Sequence, residues 1–461
     1  GQFQAYYATR IVVDVADARR GWPVTWDPDR FVALDVESHL IQPGLAAPPL
    51  VCASWAAPTH VDALELRLAR GGQLLDKRAA RNVFLSLLES EWIICGANFP
   101  FDALVTANDF AQRGEDILPL IFAKYERGEV FDVLVAEKLH AIAEGTLGLD
   151  PRTHSPLRSP STGKNTNGYY SLEIVTDIVL GRTNAKANDL YRERYAELED
   201  IPIDQWPSEA RIYPVDDAVN TLEVARKQAT RNRNLHDLAA QVYTDFAMAL
   251  GAAWGFNVDV QAVETLKRAS AAAREAGLGA FVDVGIIRAN GTQDQGLTKR
   301  LVAAAFGATG VCASCGGTCK QRSDVTGKPV QCKTCDATGL NLESAAVPRT
   351  QKGAVSCARD TLDESGDETL INFAAFGADK KILTTYVPWL EQGIRDGRSI
   401  PLNLRPNVLV ASGRTSYGGS GDSSNEGSDV SQLLPRKGGV RDCVVARPGY
   451  VLGSVDIESA E

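Results

Sequence analysis

Short apolar runs alternate with amphipathic stretches in the N-terminal part of the chain. Strand-like runs lie at 31–34, 50–54 and 92–95, and residues 78–90 have the apolar spacing of a helix. This alternation predicts an α/β domain. The polar stretch at 150–168 predicts a long loop.

The pattern changes after residue 170. Residues 170–305 are predicted to be mostly helical, with alanine-rich periodic segments at 237–253 and 261–276. The later segments, in chain order, are a cysteine- and glycine-rich stretch at 312–340, a flexible stretch at 416–431, and strand-like segments at 441–445 and 450–456. We see no internal repeat.

Length and charge limit the classes of function. A chain of 461 residues is long enough for two to four domains. Its net charge of −10 gives no general attraction for nucleic acid, so a nucleic-acid site needs local basic patches. No apolar run is long enough to span a bilayer, and we expect no membrane partner.

Three segments of the chain carry acidic residues that are candidates for one shared site. Asp35 and Glu37 follow a strand-like run and, two positions apart, point to the same face. Asp102 follows the strand-like run at 92–95. Tyr213 and Asp217 are one turn apart if their segment is helical. Carboxylates are the hard ligands that Mg²⁺ and Mn²⁺ require, and two such ions can promote phosphodiester cleavage.

In this order the motifs resemble the proofreading 3′–5′ exonucleases of the four-acid (DEDD) superfamily, which have an RNase H-like fold. The resemblance covers about residues 28–226, and it implies two Mg²⁺ or Mn²⁺ ions held by Asp35, Glu37, Asp102 and Asp217. Asp102 would act through water, and Tyr213 would orient the attacking water. The spacing from Tyr213 favours Asp217 over its neighbour Asp216.

Three later segments, "RPNVLVASGRTS", "QLLPRKGGVRDC" and "VLGSVDIESAE", resemble in their order the family A DNA polymerases of the bacterial polymerase I and phage group. The resemblance implies that Asp456 is catalytic and binds metal, and that Glu461 lies at the sugar-selecting position. It also implies DNA contacts by Arg414, Gln432 and Arg441. The family's fingers helix and second palm acid would follow Glu461, so we expect an incomplete polymerase site. The alternatives are a fragment and one half of a split polymerase, whose second chain carries the fingers and the rest of the palm.

The cysteine-rich stretch contains two C-x-x-C pairs, Cys312 with Cys315 and Cys332 with Cys335. This spacing is typical of a structural four-thiolate Zn²⁺ site. Cys319 is a candidate alternate ligand. Four basic residues lie in the same loop against one acid, Asp324; they are Lys320, Arg322, Lys328 and Lys333. This loop could follow phosphates, or it could be a solvated tip.

The predicted organisation is an exonuclease domain at 1–226, a helical thumb-like region at 227–400 with a zinc insertion at about 310–340, and the beginning of a palm at 401–461. We predict a family A DNA polymerase whose proofreading exonuclease releases nucleoside monophosphates. Its expected partners are a DNA primer–template and single-stranded 3′ ends, and its expected location is the cytoplasm, that of the host for a phage protein. The alternatives are a stand-alone 3′–5′ exonuclease acting on DNA or RNA, and a non-catalytic DNA-binding subunit, which the four acids argue against.

Overall fold

The computed structural model describes residues 26–58, 72–166, 168–182, 191, 193–231, 235–323, 327–409, 415–417, 434–435 and 438–453. The helices are α1 Lys77–Glu89, α2 Phe99–Gln112, α3 Leu118–Glu126, α4 Val133–Ala143, α5 Leu172–Leu180, α6 Ser208–Arg231, α7 Leu238–Trp254, α8 Val260–Val284, α9 Gln295–Ala305, α10 Arg359–Asp363, α11 Glu368–Lys381 and α12 Val387–Glu391. The strands are β1 Phe31–Ser38, β2 Leu50–Ala56, β3 Gln73–Asp76, β4 Ile93–Gly96, β5 Val130–Asp132, β6 Asn257–Val258, β7 Lys320–Arg322, β8 Pro329–Gln331, β9 Ile394–Arg395, β10 Arg398–Ser399, β11 Pro406–Asn407, β12 Ser416–Tyr417 and β13 Val444–Val445.

Chain contacts divide the molecule into two compact units. The first comprises 1–258, 392–433 and 445–461, and the second comprises 259–391 and 434–444. These contacts do not test the functional domain boundaries expected from the sequence, which stay predictions.

A five-stranded mixed sheet is the centre of the first unit. Its strand order is β3-β2-β1-β4-β5, with β1 antiparallel to β2 and parallel to β4. The strands β4 and β5 are also parallel. Because β1, β4 and β5 run in the same direction, their carboxyl ends lie along one edge of the sheet, where ligand sites of α/β proteins commonly form.

The apolar side chains of this sheet are buried against the helices of the first unit. Phe31 and Val32 on β1 and Phe131 on β5 are fully buried, as the continuous apolar runs in the sequence require. The aromatic rings of Tyr125 and Phe246 stack with their centroids 4.5 Å apart, and they join α3 to α7. One contiguous apolar core therefore packs against β1, and the acidic residues lie at the carboxyl end of that strand.

Aspartates begin several helices because a carboxylate can accept hydrogen bonds from otherwise unpaired N–H groups of the first turn. Asp76 accepts from the N–H of Ala79 at 2.7 Å at the start of α1, and Asp259 accepts from the N–H of Ala262 at 3.0 Å at the start of α8. These residues set helix starts close to those expected from the apolar periodicity.

The second unit combines helices with a small cysteine-rich ribbon. The strands β7 and β8 form an antiparallel hairpin within it. The rings of Phe281, Phe373 and Phe376 pack together where α8 meets α11, and the Arg274 guanidinium lies 4.1 Å from the centroid of the Phe376 ring. Its helices thus have an apolar centre of their own.

The predicted α/β class is confirmed for the described residues. The loop at 150–168 has no helix or strand among its described positions. In the region 170–305, which was predicted to be mostly helical, short 3-10 turns lie between α5 and α6, and the strand β6 follows α7. Among the described residues, no helix is long and apolar enough to cross a membrane.

The predicted strand at 441–445 is mostly wrong. Residues Arg441–Cys443 form a 3-10 helix, and only Val444–Val445 is extended. The N–H of Cys443 donates to the Val440 carbonyl at 3.3 Å, the i to i+3 bond of a 3-10 turn, and this turn takes Arg441–Cys443 out of the predicted strand. The described part of the predicted strand at 450–456 is also not a strand.

Candidate catalytic carboxylates and four-cysteine metal site

The first candidate pair lies at the end of β1. Asp35 is opposite Ser54 and Glu37 is opposite Cys52 in the antiparallel register with β2. Directly opposite residues of such a pair point to the same face, so both acids share a face with Ser54 and Cys52. Burial raises the pKa of the Cys52 thiol well above its ordinary value, and the nearby charges of Glu37 and Asp35 raise it further.

Asp102 meets this pair from the first turn of α2. The strand β4 ends at Gly96, where an added Cβ would lie only 2.5 Å from Cβ of Phe99, so the absence of a side chain lets α2 begin immediately. Asp102 is only 4% exposed. Burial raises the pKa of its carboxyl well above the ordinary value, and charges on Asp35 and Asp132 raise it further, while a hydrogen bond from the Val36 backbone opposes this.

Asp132, which the sequence analysis missed, fixes the beginning of α2. One of its carboxylate oxygens accepts from the N–H groups of Leu134 and Val135 at 2.8 and 3.0 Å and caps α4. The other oxygen accepts from the N–H of Phe99 at 2.8 Å. An acid between a short apolar run and a helix was the signal that could have identified it.

A proline in α6 explains how that helix is attached to the sheet. Pro214 has no N–H, so the Ala210 carbonyl lacks its normal helical donor. The hydroxyl of Tyr195 donates to this carbonyl at 3.1 Å, and the Ser54 hydroxyl donates to the Pro214 carbonyl at 2.6 Å. Because Ser54 is paired with Asp35, the Pro214 turn of α6 lies over the acidic end of β1.

Tyr213 and Asp217 flank that turn. Tyr213 packs beside the cluster that contains Val51 and Cys52. Asp217 is 5% exposed, whereas its neighbour Asp216 is exposed. Burial raises the pKa of Asp216, the charge of Asp217 raises it further, and Arg182 opposes both. The helix therefore directs Asp217, rather than Asp216, into the interior.

The carboxylates offer oxygen ligands for a divalent cation, although they are not gathered to single-ion spacing. Within the described residues, four cysteines are the one group of three or more candidate ligands whose ligand atoms all lie within 4.8 Å of one another. Oxygen Oδ2 of Asp102 is buried and has no hydrogen-bond partner. An orphaned carboxylate oxygen beside a second acid fits a cation, whose charge would offset both repulsion and burial.

Of the residues implied by the polymerase resemblance, Arg441 lies within the described part of the chain. Arg414, Gln432, Asp456 and Glu461 lie outside the described residues. Arg441 is exposed and donates to the Leu434 carbonyl at 2.9 Å. Its predicted DNA contact stays a prediction.

The four cysteines of the ribbon are close together. The sulfurs of Cys312 and Cys332 are 4.0 Å apart, and those of Cys315 and Cys335 are 3.7 Å apart. A tetrahedral ion with Zn–S bonds of about 2.3 Å places its sulfurs about 3.8 Å apart, so the spacing fits Zn²⁺. Cys319 is outside this group, and its sulfur faces the Gly317 carbonyl at 3.7 Å.

Both cysteine pairs are built on the same backbone turn. Thr318 follows Cys315 by three residues and donates its hydroxyl to that cysteine's carbonyl at 2.6 Å. Thr338 does the same to Cys335, also at 2.6 Å. The spacing C-x-x-C-x-x-T therefore occurs twice in the ribbon. It is a short internal repeat that the sequence analysis did not identify.

The two thiols of the second pair have different pKa values because their surroundings differ. The backbone N–H of Cys335 donates toward the Cys332 sulfur and, together with the neighbouring donors, lowers the pKa of Cys332 to about 7. Burial is the main cause that raises the pKa of Cys335 to about 12. A cysteine binds a metal ion as the thiolate, and of these two residues Cys332 loses its thiol proton more easily.

Comparisons with known proteins identify no family. No family model matches the chain, and no curated protein matches it. Among solved structures, the chain is similar to the POL domain of Pol1 from M. smegmatis in complex with DNA primer-template and dNTP, with 15% identity and a TM-score of 0.49. The match covers 91% of this chain and 55% of that one, so the chain spans about half the length of its neighbour. A similarity of this size carries no functional argument.

The bonded hydroxyl of Tyr195 predicts a loss of stability in Tyr195→Phe. An unsatisfied buried carbonyl at Ala210 should lower the free energy of unfolding by about 1–3 kcal/mol. Urea unfolding of both proteins measures this difference. Tyr125→Phe is the matched control, because the Tyr125 hydroxyl is buried without a partner and its removal should cost nothing. Equal losses in the two variants would contradict the role given to the Tyr195 hydrogen bond.

Proposed function

We propose that the exonuclease-like region at 1–226, which is part of the first unit, is a divalent-metal-dependent 3′–5′ exonuclease. The observation that carries this proposal is the convergence of acids on one end of β1: Asp35 and Glu37 on the strand, the buried carboxyl of Asp102 beside Asp35, and the Pro214 turn of α6 hydrogen-bonded across the same position. A binding module would not need to bury an orphaned carboxylate oxygen beside another acid.

The proposed ligands for Mg²⁺ or Mn²⁺ are Asp35, Glu37, Asp102 and Asp217. When bound, the ions would supply positive charge that stabilises the phosphate oxygens as the scissile bond breaks. Asp102 would act through water. Asp217 and Tyr213 occupy adjacent turns of α6, so the Tyr213 hydroxyl would orient the water that attacks phosphorus. The water oxygen forms a bond to phosphorus as the P–O3′ bond breaks, a nucleoside monophosphate leaves, and the 3′ oxygen of the shortened strand takes a proton released by the water to become a hydroxyl.

We further propose that this exonuclease serves a family A DNA polymerase, with a DNA primer–template as its partner. The support is the order of the polymerase-like segments that contain Arg414, Gln432 and Asp456, together with an exonuclease-like region that precedes them. A stand-alone exonuclease would have no need of such segments. A split polymerase with a second chain is the variant of this proposal that the same segments permit.

The ribbon is proposed to bind one structural Zn²⁺ through Cys312, Cys315, Cys332 and Cys335. All four ligand positions are filled by thiolates, which leaves no open position for a substrate. The ion would hold together two short turns and the β7–β8 hairpin, a segment that is too small to form an apolar core of its own.

Asp217→Asn should abolish most of the exonuclease activity, and Asp216→Asn should not. Loss of a metal ligand costs several kcal/mol of transition-state stabilisation, which is at least about 100-fold in rate. The measurement is the Mg²⁺-dependent shortening of single-stranded DNA labelled at its 5′ end. The exonuclease proposal is wrong if the unmodified chain leaves the DNA intact or if both variants lose activity equally. Degradation of RNA in preference to DNA would favour the stand-alone alternative.

Arg414→Ala should weaken binding to a primer–template junction by at least roughly tenfold, since a hydrogen bond to a charged group contributes about 1.5–3 kcal/mol. Fluorescence anisotropy with labelled DNA measures the affinity. Arg398→Ala, an exposed arginine outside the polymerase-like segments, is the control and should bind normally. Equal affinity of the unmodified chain for the junction and for blunt duplex would count against the polymerase proposal.

Cys332→Ser should eliminate bound zinc and lower the thermal unfolding temperature, whereas Cys319→Ser should keep the zinc. Elemental analysis of the purified proteins should give about one zinc per chain before substitution. Zinc that persists in Cys332→Ser, or is lost equally from Cys319→Ser, would contradict the proposed ligand set.

A further inference from the structure

The β7–β8 hairpin has two faces of different composition. In its antiparallel register Lys320 is opposite Gln331, Gln321 is opposite Val330, and Arg322 is opposite Pro329. Side chains alternate along each strand, so Lys320, Arg322 and Gln331 lie on one face. Gln321 and Val330 lie on the other.

The first of these faces is cationic and exposed. Lys320 and Arg322 are exposed on β7, and Lys333 is exposed in the turn that begins just after β8. We call Lys320, Arg322 and Gln331 on this face, together with Lys333 in the adjoining turn, the basic face. This concentration of positive charge contrasts with the net charge of −10 of the whole chain.

The described acid nearest to the hairpin in the sequence is already engaged. The Asp336 carboxylate lies 2.8 Å from the Lys299 ammonium group of α9, and it also accepts from the N–H of Val355 at 2.7 Å. These contacts attach the cysteine-rich ribbon to the helices of its own unit. They also use the charge of Asp336, so that it does not neutralise the basic face.

The cysteine site holds the base of the hairpin. The N–H of Cys332 donates to the Cys319 carbonyl at 3.0 Å, directly beside the pairing of Lys320 with Gln331. The cations are therefore presented on a short ribbon of fixed geometry rather than on a flexible tail. Less conformational freedom is lost when such a surface binds a regular array of charges.

We propose that the basic face binds the phosphate backbone of duplex DNA. Cations spaced along a ribbon complement the regular negative charge of a duplex, and this mode of binding carries no sequence information. The segment 311–340 contains no aromatic residue, so it has no platform on which unpaired bases could stack. Duplex is therefore favoured over single strands. That the partner is DNA rests on the proposed function.

The test is the salt dependence of binding to a blunt DNA duplex, measured by fluorescence anisotropy without added Mg²⁺. The ribbon variant combines Lys320→Gln, Arg322→Gln and Lys333→Gln. Each lost phosphate contact flattens the plot of log K against log salt by about 0.9, so the slope should change by about 2–3 and the affinity at low salt should fall at least roughly tenfold.

The control variant removes three exposed cations of the same unit outside the ribbon: Arg268→Gln, Lys352→Gln and Lys380→Gln. It makes the same change in net charge and should keep most of the original slope. Retained zinc in the ribbon variant, by elemental analysis, shows that the ribbon still folds. An unchanged slope in the ribbon variant, or an equal change in the control, would overturn the proposal, and the first of these results would favour an acidic protein as the partner.

Binding requires no hydrolysis, so this result stays separate from the exonuclease assay. If the unmodified chain digests no DNA but the ribbon variant loses its salt-dependent binding, the exonuclease proposal fails and the interface stands. If digestion occurs and the slope is unchanged, the interface fails and the exonuclease stands.

Discussion

Burial of the Asp102 carboxyl beside Asp35 sets like charges in a region that water screens poorly. Such a pair is unfavourable by itself, and burial raises the pKa of Asp102 accordingly. The surrounding structure nevertheless fixes it. Asp132 holds the first turn of α2 through the N–H of Phe99, and Gly96 allows that turn to follow β4 directly. The arrangement is costly by itself, and the proposed cation would offset that cost.

A second constraint is the missing N–H of Pro214. The gap it makes in α6 is filled by a hydroxyl from Tyr195, and the Pro214 carbonyl receives the hydroxyl of Ser54. Both donors are buried side chains of the first unit. The irregular turn thereby becomes the place where the helix is attached to the sheet, and Tyr213 and Asp217 are presented from it.

The two candidate metal sites differ in ligand chemistry and so in expected role. The carboxylate site offers hard oxygen ligands, suited to Mg²⁺ or Mn²⁺ and to phosphate chemistry. The cysteine site offers four sulfurs at tetrahedral spacing, suited to Zn²⁺ and to holding a small segment together. A bound ion at the second site would fix the shape of the ribbon that carries the proposed basic face.

Local patterns in the sequence were sufficient for the α/β class, for the acids at the end of β1, and for the C-x-x-C pairs, because strand alternation and ligand spacing are properties of neighbouring residues. They could not give the strand order, the tyrosine at 195 that completes α6, or the role of Asp132, since these depend on partners far apart in the chain. Residues Arg441–Cys443 show the same limit, because they form a 3-10 helix where the start of a strand was predicted, and only Val444–Val445 is extended. That Lys320–Arg322 forms a strand paired with Pro329–Gln331 was also decided only in the folded structure. The sequence identifies side chains that are able to bind a metal or a phosphate, and tertiary packing decides which of them lie close together.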